Sequence, residues 1–390
     1  MYINRDFEKL FVKTLFDRKV LVVYGARQTG KTTLIDNILS NKKILKDGVV
    51  KFNGDIKLHR EMLSYETMTH EKAASLIGNA KTLFIDEAQK ILDIGLSLKI
   101  IHDHFKDVKI VATGSSSFEL SEEVGEPLTG RMAAYILSPF SYRELAECYG
   151  SVSEIGQLPT RIRLGSYPSV VTSSTEIEAV ENLTQLCEAY LYKDVLKWQS
   201  LKNSEMLNKL LRALALQLGN EVSYNEVAQL IGIDNETVQQ YVERLEKAFV
   251  IFRLPAFARN LRNELKKSKK IYFCDTGVRN AVLGNFLQID CRDDVGHLFE
   301  NYLVSERMKM NNVMRRNVKS FFWRTTQPGD GEIDYVEETV DGQISAYEFK
   351  WNPEKAKKAK CPRKFATAYP QAQWKVITRD DFSGFVLGEK

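Results

Sequence analysis

One stretch, Tyr24-Gly25-Ala26-Arg27-Gln28-Thr29-Gly30-Lys31-Thr32, constrains this chain more than any other. It follows an apolar, β-branched run, Val20-Leu21-Val22-Val23, and leads into a helix-like segment, Thr33-Leu34-Ile35-Asp36-Asn37-Ile38-Leu39. Strand, glycine-bearing loop and helix in that order are the context a phosphate-binding loop requires. Gly25 and Gly30 let the backbone turn so that successive N–H groups converge on one concavity, where the helix N-terminus adds partial positive charge. The loop from Gly25 through Thr33 is therefore expected to cradle phosphates, with Lys31 reaching the β- and γ-phosphates. Thr32 would offer its hydroxyl to Mg²⁺, a hard ion that prefers oxygen ligands. The fold class that follows is α/β, with a parallel sheet presenting the loop.

A chain of 390 residues exceeds the usual single-domain size, so two to four domains are expected. No run approaches the length of an apolar membrane span, and Met1-Tyr2-Ile3-Asn4-Arg5-Asp6 lacks the charged-then-apolar layout of a signal peptide. A cytoplasmic chain without a membrane partner is the expectation. The five cysteines are odd in number and scattered, without a C-x-x-C pair, which argues against a disulfide framework and a zinc site and reads as packing thiols. A net charge of +4 is too small to indicate a nucleic-acid partner, so only the distribution of charge is informative.

Ahead of the loop, Phe7, Leu10, Phe11 and Leu15 make one face of a short amphipathic helix. Beyond it, Val49-Val50-Lys51-Phe52-Asn53 reads as a strand and the stretch to Ala80 as mostly helical. The second anchor is Lys81-Thr82-Leu83-Phe84-Ile85-Asp86-Glu87-Ala88-Gln89, an apolar strand ending in two carboxylates. Ligands bind at the carboxyl edge of a parallel sheet. Asp86 would hold Mg²⁺ through water there, and Glu87 would accept a proton from, or orient, the water attacking a γ-phosphate. A further buried strand, Val108 to Thr113, ends in small hydroxyl residues, so Thr113 or Ser115 is a candidate to sense the γ-phosphate. Arg131, in Leu128-Thr129-Gly130-Arg131, is a candidate for stabilising transition-state charge, with a surface or structural ion pair as the alternative.

The phosphate loop, the Asp-Glu-Ala-Gln box, Thr113-Gly114-Ser115-Ser116, Thr129-Gly130-Arg131 and Pro139-Phe140-Ser141-Tyr142-Arg143-Glu144 together resemble the AAA-type ATPases of bacteria and archaea whose C-terminal region was long of unknown function. The resemblance implies a five-stranded P-loop core over residues 1–150, ATP as the nucleotide, and the roles given above for Lys31, Thr32, Asp86, Glu87 and Thr113. Gln89 would suit a helicase box, but no helicase motifs follow at the expected places. Residues 151–203 read as a helical lid or connector, interrupted by Gly165-Ser166-Tyr167-Pro168.

Residues 204–284 read as a winged helix-turn-helix. Ser223 and Glu226 form a capping pattern, the helix ends at Gly232, and Asp234 caps a second helix whose Gln239, Gln240, Arg244 and Lys247 face outwards. Arg259, Arg262, Lys266, Lys267 and Lys269 would make a basic wing that tracks DNA phosphates, with protein docking as the alternative. Residues 285–390 resemble the PD-(D/E)XK nuclease core, through Glu300 on a helix, Glu332-Ile333-Asp334 and Glu348-Phe349-Lys350 on strands. That resemblance implies Mg²⁺ held by Asp334 and Glu348, with Glu300 completing the cluster and Lys350 polarising water or phosphate. Ile333 stands where such motifs often have proline. For the two carboxylates to share a metal, the hairpin must turn through Val340-Asp341-Gly342 with Gly342 left-handed, pairing Asp334 with Glu348.

The reading is thus an ATP-hydrolysing AAA-type protein acting on or near DNA, compatible with a homo-oligomer. The alternatives are an NTP-driven switch or a protein-docking adaptor without nuclease activity.

Overall fold

The computed structural model describes residues 2–41, 48–115, 128–195, 204–258, 269–325 and 331–388. Its contacts divide the chain into two compact units, Tyr2–Pro139 with Lys247–Phe249, and Phe140–Glu246 with Val250–Lys390. The division by contacts falls between Pro139 and Phe140. The reason is local: Tyr142 N donates to Glu306 Oε2 at 2.7 Å and Lys309 Nζ to Phe140 O at 3.0 Å, tying helix Tyr142–Tyr149 to the second unit.

The first unit is built on five strands, β1 (Val20–Tyr24), β2 (Val49–Asn53), β3 (Thr82–Asp86), β4 (Lys109–Gly114) and β5 (Met132–Ile136). They are all parallel and lie in the order β2-β3-β4-β1-β5. β1 is buried along its whole length, which is why its sequence is an unbroken apolar run rather than an alternating one. Helix α1 (Glu8–Phe16) follows Phe7 and buries Phe11 and Leu15, with the Phe11 ring 4.7 Å from that of Tyr135 on β5. Helix α2 (Lys31–Ser40) starts directly after the glycine loop. Three strand ends, Tyr24, Asp86 and Gly114, therefore open on the same edge of the sheet.

The second unit begins with helices between Tyr142 and Val195, then places helices Ser204–Leu216, Tyr224–Ile231 and Asn235–Lys247 beside a small antiparallel sheet. That sheet has the order β6-β8-β7, from β6 (Glu221–Val222), β7 (Ile251–Pro255) and β8 (Lys269–Phe273). Ser223 Oγ accepts from Glu226 N and Asp234 Oδ1 from Thr237 N, so both helices have the expected caps. A second sheet follows, ordered β12-β11-β10-β9, from β9 (Val318–Arg324), β10 (Glu332–Thr339), β11 (Ile344–Lys350) and β12 (Gln373–Thr378). Helix Val295–Val313 is anchored to it by a buried two-bond pair, Arg307 Nε and Nη2 to the Glu337 carboxylate at 2.8 and 2.7 Å. Among the described residues no helix is long and apolar enough to cross a membrane, and all five cysteines are free thiols.

Candidate functional site

The phosphate loop is held open by backbone conformations that few side chains tolerate. Gly25 has φ 150°, Gln28 φ 59° and Gly30 φ 90°, with Gly30 serving as the N-cap of α2. A Cβ on Gly25 would sit 2.2 Å from Leu137 O, a backbone atom that cannot rotate away. Thr29 Oγ1 donates to Ala26 O at 2.9 Å, and Lys31 Nζ donates to Gly25 O and Ala26 O at 2.9 and 2.8 Å. The ammonium thus lies within the loop, buried at its base. Arg27 is half-buried, while Gln28, Thr32 and Thr33 are exposed on the loop and the first turn of the helix.

Arg5 also belongs to the loop, although nothing in its sequence context points there. Its guanidinium, 7% exposed, donates to Thr29 O at 2.7 Å and to Ser138 O at 2.6 Å, fixing the loop's carbonyl from outside.

Asp86, at the end of β3, is gripped from two sides. Thr32 Oγ1 donates to its Oδ2 at 3.0 Å, and Thr113 Oγ1, on β4, donates to its Oδ1. A threonine hydroxyl and a carboxylate in contact form a hard oxygen donor set that fits Mg²⁺. Glu87 follows in the left-handed region, φ 49°, with its own N–H on Asp86 Oδ1 at 3.1 Å. Gln89 Nε2 donates to Glu87 Oε2 at 2.7 Å and to Ser115 Oγ at 3.0 Å. Both hydroxyl candidates on β4 are engaged, Thr113 with Asp86 and Ser115, through Gln89, with Glu87.

Arg131 does not join this group. It precedes β5, and its carbonyl accepts from Val20 N at the start of β1, so it lies at the sheet edge opposite the phosphate loop. Its Nε donates to Asp103 Oδ1 at 2.9 Å and holds that half-exposed carboxylate in an ion pair. The catalytic assignment on the same chain's nucleotide is corrected to a structural pair. The motif signal was misleading because a parallel strand's two ends look alike in sequence.

The C-terminal cluster comes together as expected in its hairpin. Thr339 N bonds Gln343 O, Gly342 has φ 79°, and Tyr335 pairs with Tyr347, a register that sets Asp334 across from Glu348. β10 is bulged against β9 between Ile333 and Val336, a feature with no sequence signal. Glu300, Glu332, Asp334, Glu348 and Lys350 line one cavity of about 680 Å³. Burial and then the neighbouring Glu300 push Asp334 up to about 7; burial and then Asp334 do the same to Glu348, also to about 7. Asp334 accepts from Phe349 N at 2.7 Å, and Glu348 pairs with Lys350 at 2.6 Å. The buried ammonium of Lys270, from β8, bonds Glu300 at 3.0 Å and Glu332 at 2.5 Å. Among the described residues no group of three or more His, Cys, Asp and Glu is arranged to hold a metal ion. The Lys270 ammonium thus already stands among the carboxylates to which the nuclease resemblance assigns Mg²⁺.

Of the wing cations, Arg259, Arg262, Lys266 and Lys267 lie outside the described residues, and Lys269 opens β8 half-buried. The exposed side of helix Asn235–Lys247 carries Glu236, Gln239 and Gln240, while Arg244 and Lys247 are only partly exposed.

Three family models match successive stretches of the chain. Residues 17–146 match the family described as AAA domain, and residues 155–288 and 295–384 match two families described as domains of unknown function, DUF8612 and DUF4143. An uncharacterized protein of Methanocaldococcus jannaschii is 26% identical over 332 residues, covering 81% of this chain and 71% of the relative. A second from that archaeon is 26% identical over 302 residues, 68% of this chain and 62% of its own length. An uncharacterized protein of Mycobacterium tuberculosis is 24% identical over 351 residues, 89% and 74%. Solved structures with some likeness include the Aeropyrum pernix ORC1 protein in complex with DNA, 11% identical, TM-score 0.31, covering 73% of this chain and 93% of that one. Another is AMPPCP-bound DnaA from Aquifex aeolicus, 14% identical, TM-score 0.30, covering 63% and 89%. TM-scores this low say nothing about the present chain's ligands. Residues 17–146, which match the AAA domain family, carry the five-stranded parallel sheet and the strand, glycine loop and helix of a phosphate-binding loop.

Proposed function

We propose that the chain binds and hydrolyses ATP at the loop Gly25–Thr33. The observation that carries this reading is the linked set Thr32–Asp86–Thr113 and Ser115–Gln89–Glu87, which holds two carboxylates at fixed positions beside the phosphate-binding N–H groups. Phosphate oxygens would take the loop N–H groups and Lys31. Thr32 and Asp86 would hold Mg²⁺, which would supply neutralisation of the phosphate charge. Glu87 takes the proton of the attacking water, and Gln89 holds its carboxylate in place from the β4 side. Gln89→Ala is expected to leave nucleotide affinity within about twofold and to lower kcat by about tenfold or more, because a displacement of about 1 Å in a catalytic group costs up to 10²-fold. Turnover measured beside equilibrium binding checks the split; a parallel loss of affinity would assign Gln89 to the loop's architecture instead.

We further propose that DNA is the partner and that residues 204–284 act as a winged helix. The order of three helices and three antiparallel strands supports the second part. Support for DNA comes from charge: Lys355, Lys357, Lys358, Lys360, Arg363 and Lys364 fall within one short segment after β11, and most of them are exposed. The exposed side of helix Asn235–Lys247 carries one carboxylate, Glu236, and two neutral amides, Gln239 and Gln240, which makes that helix a poor phosphate contact and suits protein docking. The decisive measurement is the ATPase rate of the full chain and of Glu87→Gln with and without duplex DNA. Glutamine substitution at Lys357, Lys358, Lys360, Arg363 and Lys364 is expected to weaken DNA binding for all sequences alike and to lower the slope of its salt dependence by about one for each phosphate-binding cation removed. An unchanged slope would remove DNA from this segment, and unstimulated turnover would favour a nucleotide-driven switch.

A further inference from the structure

We infer that Lys270 is a built-in cation that takes the place of a metal ion in the Glu300–Asp334–Glu348 cavity, leaving that cavity without metal-dependent hydrolytic chemistry. The inference does not depend on the ATPase reading.

The argument starts on β8. Side chains alternate along a strand, so Lys270 and Tyr272 share a face. Both converge on Glu300 Oε1, Lys270 Nζ at 3.0 Å and Tyr272 Oη at 2.5 Å. Lys270 is 2% exposed, lies 5.4 Å from the centre of the Phe322 ring, and also pairs with Glu332 Oε1 at 2.5 Å. A fully buried ammonium is tolerated only where carboxylates surround it. Glu300 and Glu332 supply them, at 3.0 and 2.5 Å from the ammonium.

One oxygen on each of the other two carboxylates is engaged as well. One Asp334 oxygen is taken by Phe349 N–H, and one Glu348 oxygen by Lys350. A divalent ion entering between these carboxylates would face a buried, fixed positive charge that cannot retreat into solvent. A metal and Lys270 are therefore alternatives for one electrostatic role, and the chain carries the lysine covalently.

The test uses the full chain carrying Asp86→Asn, free of nucleotide, titrated with Mn²⁺ alone by calorimetry. With Lys270 intact, no Mn²⁺ binding that depends on Asp334 is expected. Lys270→Met should bind Mn²⁺ at least tenfold more tightly, and Lys270→Met with Asp334→Asn should lose that gain. Where Lys270→Met does not fold, Lys270→Gln removes the charge, keeps an amide that can bond Glu300 and leaves all three carboxylates in place, and should show the same gain. Mn²⁺ binding by the Lys270 chain that disappears in Asp334→Asn would overturn the inference. So would a folded Lys270 variant that gains no affinity.

Discussion

Lys31→Ala is expected to abolish nucleotide binding, whereas Glu87→Gln keeps ATP bound and turns it over about 10²–10⁴-fold more slowly, the usual contribution of a positioned proton acceptor. The contrast follows from where the two groups lie. The Lys31 ammonium sits inside the loop, on Gly25 O and Ala26 O, where removing it leaves phosphate charge unmatched. Glu87 follows β3 and is no part of the loop; its carboxylate is held by Gln89, and an amide there keeps shape while losing basicity. Binding measured by fluorescent-nucleotide displacement, beside steady-state phosphate release, separates the two. Equal loss of binding in both variants would refute the division of labour between them.

The largest expected effect on stability lies elsewhere, at the buried pair of Arg307 and Glu337. Arg307→Met should destabilise the second unit by about 3–5 kcal/mol, because it strands a buried carboxylate without its charged partner. Asn311 and Tyr335 still bond Glu337, but neither carries charge. Burial raises the Glu337 pKa, yet the Arg307 bonds prevail and hold it below the ordinary glutamate value. A depressed carboxylate pKa stabilises the fold above the unfolded value, about 4.3, and that contribution disappears as pH falls through the lower folded value. Denaturant unfolding at pH 7 and pH 3 should therefore show a wide gap between native chain and variant at pH 7 and a narrower one at pH 3. An equal gap at both would mean that packing, not charge, sets the cost.

The features legible in the sequence were those whose chemistry is local. Gly25 to Thr33 sits in one loop, and Asp86 and Glu87 end one strand, so motif spacing was sufficient to identify them. The hairpin at Val340–Gly342 was legible for the same reason, since a glycine with positive φ and side-chain alternation fix its register. Arg5, Lys270 and the Ser115–Gln89 link were not, because each acquires its role from a partner brought near by the fold. A lysine in an otherwise apolar strand, Lys270-Ile271-Tyr272-Phe273, was the one available hint that a buried carboxylate must face it. Arg131 was ambiguous for the opposite reason: Thr129-Gly130-Arg131 does not reveal which end of its strand the arginine occupies, and within its own chain it pairs with Asp103. The cations from Lys355 to Lys364 carry no motif, and their exposure side by side after β11 is set by the fold.

The order of the first sheet also bears on how the chain is made. β1 is an unbroken apolar strand, yet among the described residues its neighbours are β4, through Leu21 and Val111, and β5, through Val20 and Met132. During synthesis the Val20–Tyr24 segment thus emerges long before either partner, and no local hairpin can cover it. A ribosome-bound fragment ending ahead of Lys109 would carry an unpaired, sticky edge on both sides of β1. Such fragments are natural clients for a holdase, and expression yield should depend on the speed with which the ribosome reaches β5. The nucleotide site, for all its compact motif, is among the last things this unit can assemble.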